Sequence, residues 1–394
     1  MLAYSVVLTH LKEPGINRRK NSWIWLIDLV VMKGMQLSDY DYNLPTELIA
    51  SYPAYRRDQS KLLKVSRSGD EFKHLLFGDL VSLFRSGDVL VVNDTKVIHS
   101  RLVGYKPTGA HCEILLLKPW AEQIDPAVTH SSSGQFKDSF ESKIWEALVR
   151  PGGKLKSGRV VQVSDDLAIE ILKILRDGNR LVRLVSEDTV ENLLNKHGRM
   201  PLPPYLNREA EAIDRERYQT VYSKHIGSVA SPTAGLHFTT ELLDSIDRKG
   251  VQRVPVTLDV GVGTFRPVDS THLENHHMHK EKYTVPDTTA TIINKAKSEG
   301  RRIWAVGTTV VRTLESAGNR GVVRPGPGET DLFIRPPRKC VVVDGLITNF
   351  HLPKSTLLML VAAFCGYETM LSAYAEAIEN RYRFYSYGDA MVIE

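Results

Sequence analysis

The stretch 341–364 combines side chains that could do chemistry with the elements needed to position them. A β-branched run, the turn pair Asp344-Gly345 and a short apolar piece precede Asn349 and His351. Pro353 then suits a first helical turn, and the apolar residues after it recur at helical spacing. The pattern predicts a core strand that delivers an amide and an imidazole to the edge of a sheet, where open α/β sheets bind ligands. The alternative is that both side chains merely cap a buried turn.

Two other predicted core strands also run into polar residues. One precedes Asn93, Asp94, Thr95 and Lys96; the other, over 254–260, contains Asp259 and ends in a G-x-G turn. A turn capped by Asn and Asp explains the first pattern equally well, and G-x-G is shared by many tight turns. The substrate-binding candidates from these two places are Asn93, Asp94, Lys96, Gly261, Gly263, Thr264 and Arg266.

Two loop-to-helix junctions add further candidates. The segment S-P-T-A-G-L-H-F offers Thr233, Gly235 and His237, and its small residues would let a ligand approach backbone amides closely. After a buried strand over 302–306, Gly307-Thr308-Thr309 opens a helix whose N-terminus could hold an anionic group. Thr308, Arg312 and Glu315 share one face of that helix. A plain exposed Arg–Glu pair is the alternative.

Two remaining motifs are open to more than one interpretation. His276, His277 and His279 suggest a metal, but they alternate in strand or loop and lack the rigid helical spacing of a ligand set, so we predict no metal site. Near the C-terminus, Tyr385 and Tyr387 could stack on nucleobases. A C-terminal strand that fills the core would have the same composition.

The composition is that of an ordinary globular protein. The 394 residues are 42% hydrophobic and 25% charged, and the net charge of +5 permits a polyanionic partner such as RNA without requiring one. The three cysteines are far apart and odd in number, which argues against a disulfide framework or a zinc ribbon. A reducing cytoplasm is the predicted location.

The spacing of the patterns predicts an α/β protein whose main sheet domain is interrupted by a small antiparallel β-barrel. Short alternating runs separated by Gly, Pro and Asp turns place the barrel at 97–188, and the α/β domain then comprises 35–96 and 189–394. Residues 1–34 are expected to be a disordered extension, or to follow from a start codon assigned too early, with Met35 the true first residue. Their apolar run is too short to span a bilayer.

Taken together and in order, the motifs are specific. They are V-V-N-D-T-K-V-I, G-R-M-P-L-P-P-Y, Y-Q-T-V-Y, S-P-T-A-G-L-H-F, G-V-G-T-F-R-P-V, H-x-M-H-x-E, A-V-G-T-T-x-x-R-T-L-E-S, V-D-G-L-I-T-N-F-H-L-P-K-S-T and Y-R-F-Y-S-Y-G-D-A-M. From about Leu37 onward the chain closely resembles the S-adenosylmethionine:tRNA ribosyltransferase-isomerases of queuosine biosynthesis.

The resemblance implies a reaction. Such an enzyme transfers and isomerises the ribosyl part of S-adenosylmethionine onto 7-aminomethyl-7-deazaguanine at the wobble position of tRNA, giving epoxyqueuosine-tRNA with release of adenine and methionine. It implies a monomer without metal, membrane or further cofactor, since S-adenosylmethionine is a co-substrate. A catalytically inactive tRNA-binding relative and a metal-dependent hydrolase built on the histidines are the alternatives.

The reaction requires proton transfers at C5′ of the ribose, at adenine and at the attacking amine. The candidate catalytic residues are His237, Asp259, His279, Glu281 and His351. Arg312 and Thr308 are candidates for holding the methionine carboxylate. The chain departs from the family pattern at Asp259, where many relatives carry His, at Pro337, where glycine is usual, and at His99-Ser100 in place of Pro-Ala.

Overall fold

The computed structural model describes residues 34, 36–69, 71–120, 142–261, 273–276 and 278–394. The predicted N-terminal extension therefore lies outside the described residues except for Gly34. Gly263, Thr264, Arg266 and His277 also lie outside them.

Nineteen strands can be numbered along the described chain. Before the barrel come β1 (Lys61–Val65), β2 (Phe72–Leu76), β3 (Val89–Asn93) and β4 (Thr95–Val97). The barrel contains β5 (Arg101–Tyr105), β6 (His111–Pro119), β7 (Ile144–Arg150), β8 (Val160–Ser164), β9 (Leu167–Ile174) and β10 (Arg180–Val185). After it come β11 (His225–Ser228), β12 (Gln252–Leu258), β13 (Glu281–Val285), β14 (Ile303–Val306), β15 (Gly318–Asn319), β16 (Val322–Val323), β17 (Gly326–Thr330), β18 (Gly345–Asn349) and β19 (Ala390–Ile393).

A nine-stranded sheet organises the α/β part of the molecule. Its strand order is β17-β13-β12-β3-β14-β18-β19-β1-β2. The four strands β12, β3, β14 and β18 run parallel to their neighbours in that series, so their carboxyl ends lie along one edge. β19 is antiparallel to β18, and its first residue, Ala390, lies opposite Asn349 at that same edge.

Alternation along the central strands builds the core on both faces of this sheet. Val89 and Val91 of β3 pack in one apolar cluster, whereas Leu90 and Val92 pack in another on the opposite face. All four side chains are at most 3% exposed. Strands buried on both faces read as continuous apolar runs, which is why β3 is V-L-V-V.

The inserted domain is a closed antiparallel barrel of six strands in the order β10-β7-β6-β5-β8-β9. Its core is separate from the sheet and centres on Trp145, Ile114 and Leu102, all fully buried. The barrel meets the α/β part where the Arg101 and Arg199 backbones exchange two hydrogen bonds, of 3.2 and 2.8 Å. The predicted fold class is therefore correct.

Eight α-helices can be numbered in the described chain. They are α1 (Leu80–Leu83), α2 (Val190–His197), α3 (Asp214–Arg217), α4 (Thr240–Arg248), α5 (Asp287–Ser298), α6 (Thr308–Ala317), α7 (Thr356–Cys365) and α8 (Tyr367–Glu379). In this part of the chain no single helix is long and apolar enough to cross a membrane, and only α7 and α8 together, bent by 114°, pass on length and composition.

Two local expectations are corrected. The pattern that ends at Ser86-Gly87 predicts a helix from about Phe77 to Phe84, but the segment is a 3-10 turn (Phe77–Asp79) followed by the one-turn helix α1, because Phe84 already has extended backbone angles. The β-branched run 341–343 is not a strand, since its amide groups donate to the Glu315 carboxylate instead of to a neighbouring strand. The strand that delivers Asn349 is β18, after the turn pair.

Candidate functional site

The carboxyl edge of the parallel strands gathers polar residues from distant parts of the sequence. Asn93 ends β3, Asp259 follows β12, Thr308 follows β14 as the first residue of α6, and Asn349 ends β18. The carboxyl ends of parallel strands are the usual ligand site of open α/β sheets. These residues, far apart in the sequence, therefore lie along one edge of the sheet.

A cavity opens at this edge beside β18 and the N-terminus of α6. Its wall combines apolar groups with the polar residues Thr233, Thr308, Thr309, Thr348, Asn349 and His351. Tyr205 and Tyr385 form one aromatic side, with ring centroids 4.8 Å apart. The Ser231 hydroxyl, on a buried side chain of the same wall, has no hydrogen-bond partner among the described residues. A largely apolar cavity with a small number of polar groups pointing into it is typical of a small-molecule site.

Asn349 organises the polar wall of the cavity. Its Nδ2 donates to His237 Nε2 at 3.1 Å and to the Tyr385 carbonyl at 3.2 Å, and its Oδ1 accepts from the Thr233 hydroxyl at 2.9 Å. These bonds hold three elements together, namely β18, the 3-10 helix Thr233–His237 and the segment before β19. Asn349 therefore positions the wall instead of merely capping a turn.

The environment of His237 determines its tautomer. Ser60 Oγ donates to the Arg57 carbonyl at 2.9 Å, so the 2.6 Å contact between Ser60 Oγ and His237 Nδ1 requires the ring to donate its Nδ1 proton. Nε2 is then the acceptor for Asn349. Burial lowers the pKa of His237 to about 3, and Arg383 and Arg57 act in the same direction. A neutral imidazole with both nitrogens engaged is suited to orienting Asn349 more than to exchanging protons.

His351 is also buried and neutral, because burial lowers its pKa to about 3. Its Nε2 lies 2.8 Å from the Thr348 hydroxyl, and its backbone amide donates to the Tyr374 hydroxyl at 2.9 Å. The side chain lines the cavity beside Asn349. Asn349 and His351 thus both line the cavity, and their part in the chemistry stays a prediction.

Arg312 and Glu281 form a buried ion pair behind the helix N-terminus. Arg312 lies one turn after Thr308 on α6, and both members of the pair are at most 7% exposed. Glu281 also accepts from the Gly261 amide at 3.2 Å, and Arg312 Nε donates to the Leu332 carbonyl at 3.3 Å. Arg312 Nη2 is buried without a hydrogen-bond partner among the described residues.

The alternative of an exposed Arg312–Glu315 pair is wrong. Glu315 is only 4% exposed, and Oε1 accepts the amides of Val342 and Val343 at 2.9 and 3.2 Å. Its charge is thus used to hold the segment before β18. Arg312 therefore forms its ion pair with Glu281 and not with Glu315.

Asp259 lies at this edge beside the cavity-lining Val260, and is not itself among the residues that line the cavity. Burial raises its pKa to about 6, the nearby Glu281 charge adds to the rise, and the Thr95 hydroxyl at 3.4 Å opposes it. Gly227 lies directly against this carboxylate, where an added Cβ would meet Oδ1 at 2.4 Å. A carboxyl group that titrates near pH 6 can both accept and return a proton.

The three candidates at the end of β3 and just after it have different environments. Asn93 is fully buried and bridges to β12, since Nδ2 donates to the Leu258 carbonyl at 3.0 Å and Oδ1 accepts the Leu258 amide at 3.1 Å. Asp94 accepts from the Thr257 hydroxyl at 2.6 Å, and burial raises its pKa. Lys96 is exposed on the short strand β4.

Four other candidates are placed as follows. Gly235 does not open space for a ligand, because the position of its missing Cβ is taken by the Tyr222 hydroxyl, 2.1 Å away. Tyr387 is not among the cavity residues; its hydroxyl donates to Asp214 at 2.7 Å inside a separate apolar cluster. Tyr385 does line the cavity, with a left-handed φ of 72°. His279 is exposed, two residues before the start of β13.

Sequence reasoning missed Ser60, Tyr205 and Ser231. Ser60 contacts His237 from 177 residues away, and no local pattern signals such a pairing. Tyr205 ends the proline-rich segment G-R-M-P-L-P-P-Y, whose rigidity was the available signal. Among the described residues, no group of three His, Cys, Asp or Glu stands close enough to hold a metal ion.

The chain is therefore an α/β protein with an inserted β-barrel and a candidate small-molecule site at the carboxyl edge of its main sheet. From residue 37 to residue 393 the chain matches the family described as queuosine biosynthesis protein, and it belongs to that family. The resemblance inferred from the motifs is thus confirmed.

Individual relatives match over almost their whole length. The chain is 48% identical over 362 residues to an S-adenosylmethionine:tRNA ribosyltransferase-isomerase of Desulfitobacterium hafniense, covering 91% of this chain and 100% of the relative. It is 45% identical over 359 residues to the protein of that description from Thermotoga maritima, with the same coverage. A crystal structure of S-adenosylmethionine tRNA ribosyltransferase from Thermotoga maritima aligns with a TM-score of 0.50 and 37% identity, covering 90% of this chain and 99% of that one.

Proposed function

We infer that this protein is an S-adenosylmethionine:tRNA ribosyltransferase-isomerase. It transfers the ribosyl part of S-adenosylmethionine to the aminomethyl nitrogen of 7-aminomethyl-7-deazaguanine at the wobble position of tRNA, and isomerises it to the epoxycyclopentanediol of epoxyqueuosine. The C5′–S bond breaks with its electron pair on sulfur, giving methionine. The N-glycosidic bond breaks with its pair on adenine, which leaves protonated. The continuous family match over residues 37–393 carries this assignment.

The N-terminus of α6 is the proposed site for the methionine carboxylate. Thr308 begins this ten-residue helix, separated from β14 only by Gly307, and lines the cavity. The free amides and the dipole of a helix N-terminus favour an anion there. Arg312, on the same face one turn later, adds a cation whose Nη2 has no partner among the described residues.

Asp259 is the proposed general base for the C5′ proton. The positive sulfonium acidifies that proton, and a carboxyl group whose pKa is raised to about 6 is ionised yet basic at neutral pH. Glu281 stays paired with Arg312 and shapes the field around Asp259. His237 and His351 act as neutral orienting groups, and Tyr385 with Tyr205 offers an aromatic surface for a base.

The reaction needs no cofactor beyond the co-substrate, because the sulfonium itself activates the ribose carbon. The protein acts as a monomer in the cytoplasm, without a metal, on tRNA that already carries the aminomethyl-deazaguanine. The aminomethyl group must be unprotonated to attack, and the apolar part of the cavity favours that neutral form.

The decisive experiment measures adenine released from S-adenosylmethionine by the purified protein. We expect adenine and methionine only with tRNA bearing 7-aminomethyl-7-deazaguanine, and none with unmodified tRNA. Folded protein that binds the modified tRNA but releases no adenine would instead be an inactive tRNA-binding relative. The altered loop at Pro337 would then be the first place to test by restoring glycine.

A further inference from the structure

The end of the barrel that points away from the sheet carries a concentrated positive charge. β5 leaves the junction at Arg101, and antiparallel pairing alternates direction from strand to strand, so three segments meet at the opposite end. These segments, here called the distal end, are 105–111, 150–159 and 173–180. They contain eight lysines and arginines and a single carboxylate, Asp177.

Seven of these cations are available to a partner. None of them forms an ion pair with a carboxylate among the described residues, and six are exposed, with Lys106 half-buried. The seven are Lys106, Arg150, Lys154, Lys156, Arg159, Lys173 and Arg176. By contrast, at the other end of the barrel Lys196 forms an ion pair with Asp166, with Nζ and Oδ2 2.6 Å apart. Unpaired like charges gathered at one end cost stability through mutual repulsion, which a polyanion would relieve.

Buried hydrogen bonds hold the segments of the distal end in a fixed arrangement. The eighth cation, Arg180, is only 6% exposed and ties the segments together by donating to the carbonyls of Leu155 at 2.9 Å and Gly152 at 2.7 Å, and to that of Gly178. The Gly158 amide donates to the Ile171 carbonyl at 2.8 Å. The loop that carries Lys154 and Lys156 is therefore held beside the end of β9.

An aromatic pair completes this surface. Tyr105 is 53% exposed and meets the His111 ring edge-on, with centroids 5.8 Å apart. Exposed aromatics among cations are typical of surfaces that contact nucleic acid.

We propose that the distal end of the barrel binds the phosphate backbone of tRNA outside the anticodon, while the wobble base enters the cavity at the sheet edge. Barrel strands of five to nine residues extend roughly 17–30 Å at about 3.3 Å per residue. This span would place the cations well beyond the modified base, along the stem. The proposal rests on the proposed function, because it takes tRNA as the substrate.

The test compares two triple variants in the adenine-release assay with modified tRNA. One is Lys154→Glu/Lys156→Glu/Arg159→Glu; the control is Lys73→Glu/Arg248→Glu/Lys295→Glu, which reverses three exposed cations outside the barrel. For the distal variant we expect KM for tRNA to rise about tenfold or more, with kcat within about twofold of wild type. The slope of log kcat/KM against log salt should become shallower by about 0.7–0.9 for each phosphate that the variant no longer neutralises.

The outcomes separate this proposal from the proposed function. If the wild type releases adenine and both triple variants raise KM equally, or neither does, the distal surface does not bind the tRNA. If the wild type releases no adenine, the proposed function fails first, and binding of the same tRNA measured by fluorescence anisotropy still tests the surface. A second variant, Lys173→Glu/Arg176→Glu, checks the result independently of the 151–159 loop.

Discussion

At the scale of single residues, the orientation of Asn349 determines the cavity wall. One carboxamide serves His237, Thr233 and the Tyr385 carbonyl at once. The assignment of its amide nitrogen and oxygen follows from its partners, because the Tyr385 carbonyl, the Asp389 carbonyl at 3.4 Å and the unprotonated Nε2 of His237 all require the NH2 side. Replacement by an apolar group of equal size would leave several buried polar groups without a partner.

We predict that Asn349→Leu lowers the free energy of unfolding by about 3 kcal/mol, the summed cost of those unsatisfied groups. Urea denaturation measures this change. The matched control is Asn195→Leu, at an exposed position on α2, which should change the value by less than about 0.5 kcal/mol. Equal effects of the two substitutions would show that the Asn349 network contributes nothing.

Asp259 makes stability depend on pH. Its pKa is higher in the folded protein, about 6, than its ordinary value of 3.8, so the folded state holds the proton more tightly. This group therefore favours folding at low pH, and the contribution is lost as pH rises from about 4 through about 6.

We expect Asp259→Asn to abolish that dependence. Relative to the variant, wild type should lose about 2 kcal/mol of unfolding free energy between pH 4 and pH 8, as seen by chemical denaturation at each pH. Turnover should fall at least about a hundredfold if Asp259 is the base. The control, Asp165→Asn in the exposed turn between β8 and β9, should track wild type throughout. A parallel pH dependence in Asp259→Asn would refute the assignment of this carboxyl group.

At the scale of elements, Glu315 connects α6 to the strand that delivers Asn349. Its carboxylate accepts the amides of Val341, Val342 and Val343 just before β18. The helix proposed to bind the ligand anion and the strand that forms the cavity wall are thus joined by one buried charge. Displacing this link would shift the N-terminus of α6 relative to Asn349.

We predict a decrease of about 3 kcal/mol in unfolding free energy for Glu315→Ala and about 1 kcal/mol for Glu315→Gln, which keeps one acceptor oxygen. Thermal and urea unfolding would both report it. Glu379→Ala, at the exposed end of α8, is the control. If Glu315→Ala is no more destabilising than this control, the hydrogen bonds to the three amides are not what holds the segment.

At the scale of the whole molecule, the two described histidines before β13 have different surroundings. His279 is exposed, while His276 meets the Phe333 ring edge-on with centroids 5.3 Å apart. We therefore expect dialysis against a chelator to leave adenine release unchanged. An activity abolished by chelation and restored by zinc would support the hydrolase-type alternative instead.

The same scale shows how much of the architecture sequence reasoning could predict. Alternating runs with frequent turns indicated the barrel, because each strand encodes its own inward face. The strand β3, which is buried on both faces, and the helix after Gly307 also follow from local residue patterns. The helix near 77–84 was overestimated, since its apolar spacing does not reveal where Phe84 turns to extended backbone.

The sequence by itself determined the fold class, the family and the strand ends that carry Asn93, Asp259, Thr308 and Asn349, because these follow from local patterning and ordered motifs. The tertiary structure alone decided which side chains meet. Ser60 reaches His237 across 177 positions, Glu315 turns to the amides at 341–343, and Tyr387 is drawn to Asp214 instead of the cavity. Such pairings depend on how distant elements pack against each other. The spacing of neighbouring residues shows which face of an element is buried, but not which distant side chain lies opposite it.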